Sequence, residues 1–291
     1  MSKPRFKRAV ILGVGLLGGS LGLALRKKKL AAQVIGWGRD SARLRKALMK
    51  GVIQEAHTDL GLAVAEADLI VLCTPFERFD SLLQDLAMLA PKGCLVTDVG
   101  SVKGAVPQWQ RIAKPLKFVG SHPMAGGEKT GFEHARPDLF QGAACIVTPV
   151  PGTDKAAAAK VSALWRALGS QVLSLSPREH DRVIGKVSHL PHAVAFALCA
   201  ALASQGAARS DFSVAGNGFW DTSRVGASDP SLWTAIFGSN RVNMVRGLKA
   251  VEAQLAALRK DIQAGRRRQV HARLRKASAF RQTVEHLKGR G

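Results

Sequence analysis

Arg8-Ala9-Val10-Ile11-Leu12-Gly13-Val14-Gly15-Leu16-Leu17-Gly18 opens the chain as a short apolar strand, a glycine turn and the start of a helix. That order gives the GxGxxG pattern its meaning. One glycine allows a tight turn, a second lets backbone approach a pyrophosphate, and a third lets helix and strand pack closely. The helix start adds free amide donors and the positive end of a dipole. Gly13, Gly15, Leu16, Leu17 and Gly18 are therefore expected to cradle a dinucleotide.

Working outward, short apolar runs alternate with helical spacing through residue 175. Strands are expected at Arg8 to Leu12, Val34 to Trp37, Leu69 to Cys73, Leu95 to Val99, Phe118 to Gly120, Ala144 to Thr148 and Val172 to Leu175. Helical stretches at Leu16 to Lys28, Ser41 to Lys50, Phe79 to Leu89 and Asp154 to Leu168 lie between them. The pattern predicts an α/β fold with an N-terminal doubly wound Rossmann-type parallel sheet over residues 1–175. At Ser176-Pro177-Arg178-Glu179 a serine, a proline at the first helical position and a glutamate three residues after the serine mark a new helix. From there, over 176–291, an all-helical C-terminal domain is expected, with helices over Glu179 to Gln205, Leu232 to Leu258 and Arg266 to Leu287.

Dinucleotide folds usually place a carboxylate about 20 residues past the glycines, on the ribose hydroxyls. Here Gly38-Arg39 occupies that place. A guanidinium suits a 2′-phosphate, so the cofactor is read as NAD(P), leaning to NADP, with Arg39 among the binding residues. Asp40, slightly later, keeps NAD open.

The chain has 291 residues, 46% of them hydrophobic, and a formal net charge of +22. Such a charge attracts phosphates without any dedicated fold. Yet the 13 Lys and Arg between Arg246 and Gly291 are interleaved with Val251, Leu255, Leu258 and Ile262, as on a solvated helix face. A nucleic-acid partner is not expected. Cys73, Cys94, Cys145 and Cys199 are far apart and lie in apolar segments, which reads as reduced thiols in a cytoplasmic protein. No apolar stretch is expected to reach the roughly 18 residues that span a bilayer. The apolar stripes of the helical half are expected to be buried in a homodimer.

Tyrosine is absent, so histidine must carry proton chemistry near neutral pH. His122 lies between Gly120 and Pro123, which reads as a rigid irregular loop positioned for catalysis. His189 and His192, three apart, share one helix face. No Cys, Asp or Glu completes a ligand set with them, so no metal is expected.

Four motifs, in order, resemble those of the prephenate/arogenate (cyclohexadienyl) dehydrogenase family. They are the glycine fingerprint; Asp98-Val99-Gly100-Ser101-Val102-Lys103; Gly120-Ser121-His122-Pro123-Met124-Ala125-Gly126 with Glu128; and Ser188-His189-Leu190-Pro191-His192 followed by Gly218-Phe219-Trp220-Asp221-Thr222-Ser223-Arg224. The resemblance runs from about residue 8 to about 285. It implies oxidative decarboxylation of prephenate to 4-hydroxyphenylpyruvate, or of arogenate to tyrosine, with hydride transfer to NAD(P). His122 would be the general base, and Ser101 would orient it and touch the nicotinamide. Arg224 would clamp a substrate carboxylate, and His192, His189 and Ser228 would border the substrate. Thr74-Pro75 would form the nicotinamide-side loop, or only an ordinary strand-end turn. Glu128 is either a carboxylate that responds to charge in the pocket or only a helix-start residue, and Trp233 is read as packing.

Many family members carry Lys or Arg where this chain has Trp220, which leaves the choice between prephenate and arogenate open. From the length, a regulatory or mutase domain is not expected. Another dehydrogenase of the Rossmann plus helical-domain type, a hydroxyacid or imine reductase, is the alternative; it would place a catalytic lysine where this chain has the His-rich Ser188 to His192.

Overall fold

The computed structural model describes residues 5–127 and 129–288. Its strands are β1 (Phe6–Leu12), β2 (Ala31–Trp37), β3 (Glu55–His57), β4 (Leu69–Leu72), β5 (Leu95–Asp98), β6 (Lys117–Pro123), β7 (Ala144–Thr148) and β8 (Gln171–Ser174). They join in one sheet in the order β3-β2-β1-β4-β5-β6-β7-β8. The chain reverses its direction of travel across the sheet between β1 and β4, the crevice where doubly wound sheets bind ligands.

Strand alternation builds two cores from the same residues. Ala9 and Ile11 of β1 face one side of the sheet, with Leu21 and Leu25 of α1 (Leu16–Lys27) and Trp165 of α6 (Lys155–Leu168). Val10 and Leu12 face the other, with Phe79, Leu83 and Leu86 of α4 (Phe79–Leu89) and Trp109 of α5 (Val106–Ile112). Both faces are covered, so β4 at the centre of the sheet is apolar throughout.

The sheet departs from the expected all-parallel form at one place. β6 pairs antiparallel with β7, whereas β7 pairs parallel with β8. A parallel neighbour needs a long crossover, usually helical, but between β6 and β7 the described chain forms only the short 3₁₀ turn Phe132–His134. The small elements β3, α2 (Ser41–Met49), α3 (Leu60–Val64) and α5 complete this half. Of these, only α2 stood out by its periodicity.

His122 is not in an irregular loop. It lies within β6, paired with Ile146 of β7. The flanking glycine reflects crowding, because a Cβ on Gly120 would come within 2.5 Å of the Thr148 hydroxyl oxygen. Pro123 is simply the last residue of the strand.

The helix start read at Ser176-Pro177 is present. Ser176 accepts a hydrogen bond from the Glu179 amide at 3.2 Å, and Pro177 opens α7 (Pro177–Ile184). A π-helical turn, Gly185–His189, joins α7 to α8 (Leu190–Ser204). Pro191 takes the first turn of α8, where its missing N–H costs little. The run Pro177–Ser204 is therefore continuous, and it is long and apolar enough to cross a membrane by length and composition, contrary to the sequence reading. Little of it is buried within one chain. The expected Leu232 to Leu258 helix is two, α10 (Pro230–Ser239) and α11 (Arg241–Gln263), separated at Asn240. α9 (Asn217–Ser223) and α12 (Arg267–Lys288) complete the set. Val102, from the loop after β5, packs against Trp233 and Ile236 of α10, tying the sheet to the helices.

Candidate active site

The glycine loop has the shape the sequence requires. Gly13 sits at φ +99°, and a Cβ there would lie 2.9 Å from the Cys73 carbonyl and the Thr74 amide nitrogen at the end of β4. A Cβ on Gly18 would strike the Gly13 backbone oxygen, so helix and turn touch only because residue 18 is glycine. Gly15 has open space above it. It caps α1 with no side-chain hydrogen bond, and the first turn holds no acidic residue. Leu16 and Leu17 begin the helix half-buried. Uncapped amides facing open space fit a pyrophosphate. Thr74 adds a buried hydroxyl without a hydrogen-bond partner, next to Pro75 at the same strand end. These residues fit a nicotinamide dinucleotide.

Arg39 is exposed just past β2. The Asp40 carboxylate, which kept the NAD reading open, accepts the Arg43 amide at 2.9 Å as the cap of α2.

A buried polar lattice holds the ends of β5 and β6. The Asp98 carboxylate accepts the Ser121 amide at 3.0 Å and the Gly100 amide at 2.8 Å, and pairs with the Lys103 ammonium. Both members of that ion pair are fully buried. The Ser121 hydroxyl donates to the Asp98 carbonyl and accepts from the Trp165 indole. Ser121 points to one face of β6, so His122 points to the other, toward the helical half.

There His122 Nδ1 lies 2.8 Å from His180 Nε2, and His180 Nδ1 lies 2.8 Å from the Asp181 carboxylate. Among the described residues His180 is the ring's hydrogen-bond partner, in place of the expected Ser101. Ser101 stands half-buried just after β5. Asp181 also accepts the Lys103 amide at 2.8 Å. The Asn240 amide group donates to the Asp181 carbonyl at 2.9 Å and to His189 Nδ1 at 3.1 Å, while its oxygen accepts from Asn243. His189 is thereby fixed with its proton on Nε2, which faces the Ser101 backbone. His189 meets the Trp233 ring edge-on, and His192 stacks on it at 3.7 Å, so the two share one face as expected.

The remaining expected residues are more dispersed. Arg224 stands exposed where α9 passes into a 3₁₀ turn, Arg224–Ala227, that packs on α8. Ser228 is half-buried before α10. Trp220 is exposed, with its indole N–H on the Ala215 carbonyl. Glu128 lies outside the described residues. Among the described residues no group of three or more His, Cys, Asp or Glu could hold a metal. His180, Asp181 and Asn240 went unread. The adjacent His-Asp pair directly behind a helix-start signature was the visible signal.

Burial sets the electrostatics. It holds the His122 imidazole well below the usual histidine range, helped by His180, Lys103 and His189. Burial likewise lowers His180, against the pull of Asp181, lowers His192, and brings His189 down to about 4. An unfolded histidine titrates at about 6.5. Below that pH the unfolded chain binds protons that the folded chain refuses, so stability present at neutral pH is lost as pH falls. His189 alone accounts for about 3 kcal/mol once both states are protonated. The urea midpoint should fall between pH 7.5 and pH 5; an unchanged midpoint would contradict the neutral burial of these rings.

Sequence and structure comparisons give the same kinship. Residues 21–174 match the family model for the nucleotide-binding domain of prephenate dehydrogenase, and residues 176–276 match that for its dimerization domain. The chain is 34% identical to the prephenate dehydrogenase of Bacillus subtilis over 240 residues, 80% of this chain, but spans only 64% of that protein. It is 30% identical to the cyclohexadienyl dehydrogenase of Zymomonas mobilis, covering 88% of this chain and 89% of that one. The crystal structure of prephenate dehydrogenase from A. aeolicus, in complex with hydroxyphenyl propionate and NAD+, superposes with a TM-score of 0.87 at 32% identity, over 96% of this chain and 98% of that one. By both domains, by sequence and by fold, this chain belongs to the prephenate dehydrogenase family.

Proposed function

We propose that this protein is an NAD(P)-dependent dehydrogenase that oxidatively decarboxylates prephenate or arogenate in tyrosine biosynthesis, with His122 as general base. The observation that carries the reading is a buried imidazole, held neutral, on β6, two strands along from β4 at the dinucleotide crevice, in a chain of this family. The nicotinamide, when bound, accepts the hydride that leaves the hydroxyl-bearing ring carbon. His122 takes the hydroxyl proton as that carbon becomes a carbonyl. The bond to the ring carboxylate then breaks, its electron pair makes the ring aromatic, and CO2 leaves. His122 returns its proton to the phenolic oxygen. Held neutral by burial, the ring is ready to accept a proton at pH 7.

Ser101 lies at the end of β5 and is assigned to the nicotinamide and the reacting carbon. Thr74 and Pro75 line the cofactor side, and His189 joins His192 and Ser228 around the substrate. Arg224 is assigned to a substrate carboxylate, which a planar guanidinium matches. Arg224→Gln should raise KM about 10- to 100-fold with a smaller change in kcat; an unchanged KM would remove it from this role.

NADP is the preferred cofactor in this reading, because Arg39 is exposed and the Asp40 carboxylate is committed to capping α2. The exposed apolar side chains Val187, Val242, Val245, Leu255 and Phe280 support a homodimer through the helical half. The unpaired cysteines suit the cytoplasm. The decisive experiment is a steady-state assay of prephenate and arogenate, each with NAD and NADP. Turnover of neither substrate would overturn the activity, and a strong NAD preference would overturn the cofactor assignment.

A further inference from the structure

The two imidazoles and the carboxylate behind His122 form a chain whose hydrogen bonds can run in only one direction. An ionised carboxylate only accepts, so the proton between His180 and Asp181 belongs to His180 Nδ1. The second ring nitrogen of a neutral His180 is then bare, and it faces His122 Nδ1 at 2.8 Å. His122 must be the donor in that contact. Its own proton is thereby placed on Nδ1, and its lone pair on Nε2.

We propose that His180 and Asp181 are positioning residues that fix His122 in the tautomer whose Nε2 accepts the substrate proton, and that share the resulting charge. This rests on the reading of His122 as the base. Tautomer control of this kind separates a basic nitrogen from a blocked one. When Nε2 gains a proton, the positive charge spreads through the His122 Nδ1–H contact to His180, whose own proton leans on Asp181. No proton leaves the chain, and the one gained returns when the product oxygen is protonated.

The neighbours make the pair necessary. The Lys103 ammonium opposes a charged His122, as do His180 and His189 when protonated. From β5 the Asp98 carboxylate is already engaged by Lys103, and from β7 burial keeps the Cys145 thiol protonated. Asp181 is the carboxylate hydrogen-bonded to this chain, and it is held by the Lys103 amide and, through its carbonyl, by Asn240.

The contact also crosses the molecule. His122 comes from the sheet, whereas His180 and Asp181 come from α7, the first helix of the helical half. The base therefore acquires its working tautomer only when α7 is seated against the loop that carries Lys103.

The test reads the ring nitrogens directly. In protein labelled with 15N histidine, with His122 assigned by loss of its signals in His122→Asn, wild-type His122 should carry its proton on Nδ1. His180→Phe leaves the Asp181 carboxylate on the Lys103 amide but removes the acceptor that holds the proton of His122 on Nδ1. Its His122 should carry the proton mainly on Nε2, and kcat should fall by about 10²- to 10⁴-fold with KM within a few-fold of wild type. A wild-type ring protonated on Nε2, or a His180→Phe enzyme that keeps more than a tenth of the wild-type kcat, would overturn the proposal. The wild-type spectrum needs neither turnover nor a stable variant. A correct tautomer in a protein that oxidises neither prephenate nor arogenate would refute the activity while leaving the tautomer assignment intact.

Discussion

His122→Asn is expected to lower kcat by about 10²- to 10⁴-fold while leaving cofactor affinity and KM within a few-fold of wild type. Asparagine is smaller and polar, and its side chain still reaches toward His180. The strand is held independently of the side chain, through pairing with β7 and the bonds from Asp98 to Ser121. What disappears is a nitrogen lone pair able to take a proton at neutral pH. The dinucleotide cradle lies on Gly13, Gly15 and Thr74, on other strand ends, so cofactor binding has no reason to change. Steady-state kinetics with a fluorescence titration of the cofactor separates the two effects. A variant rate within tenfold of wild type would take the proton-transfer role away from His122.

Lys103→Met is expected to cost about 3–5 kcal/mol of stability, because it removes one member of a fully buried ion pair. The Asp98 carboxylate would keep the Ser121 and Gly100 amides but lose the only full positive charge bonded to it among the described residues. Adding Asp98→Asn should recover part of that loss, since an amide carries no charge to strand. Urea unfolding of the single and double variants measures both quantities. A single-variant loss below about 1 kcal/mol would mean that solvent or a rearranged side chain neutralises Asp98. The lattice also holds the end of β6, so this variant is expected to lose activity without touching a substrate atom.

The sequence was most readable where one local rule decides the outcome. The glycine fingerprint, the Ser176-Pro177 helix start and the alternating strands β1, β2 and β4 depend on neighbours a few residues away, and they stand where expected. β3, α3 and α5 are short, and seven residues or fewer leave little periodicity to detect. The misplacement of His122 had a different cause. Gly120 and Pro123 carry loop signals, but crowding by Thr148, distant in sequence, demanded the glycine. Long-range demands of that sort leave no mark in a window of ten residues.

The same holds for the site. His122, His189 and His192 were visible as chemically able residues in recognisable motifs. Their partners were not, because His180 and Asn240 reach them over 58 and 51 residues of chain. Lys103 lies within a quoted motif, yet nothing local marks it as fully buried. Its burial follows from Asp98 and from the seating of α7 by Asp181.

The π-helical turn between α7 and α8 has a consequence for insertions and deletions. A π turn closes over one residue more than an α turn, so it stores a surplus residue without breaking the helix. Removing one residue from Gly185 to Ser188 would return the turn to a plain α-helix with α7 and α8 near their present phase. A deletion in the α-helical turns of α7 or α8 has no surplus to draw on and would rotate the flanks by about 100° relative to each other. His180 and Asp181 would then swing away from the strand they face, while His189 and His192 kept their place against Trp233. A relative that lacks one residue at the π turn keeps the register between its motifs, and one that lacks it elsewhere in this helix loses that register. The place of a gap in an alignment therefore says more about the helix phase than a substitution at either histidine.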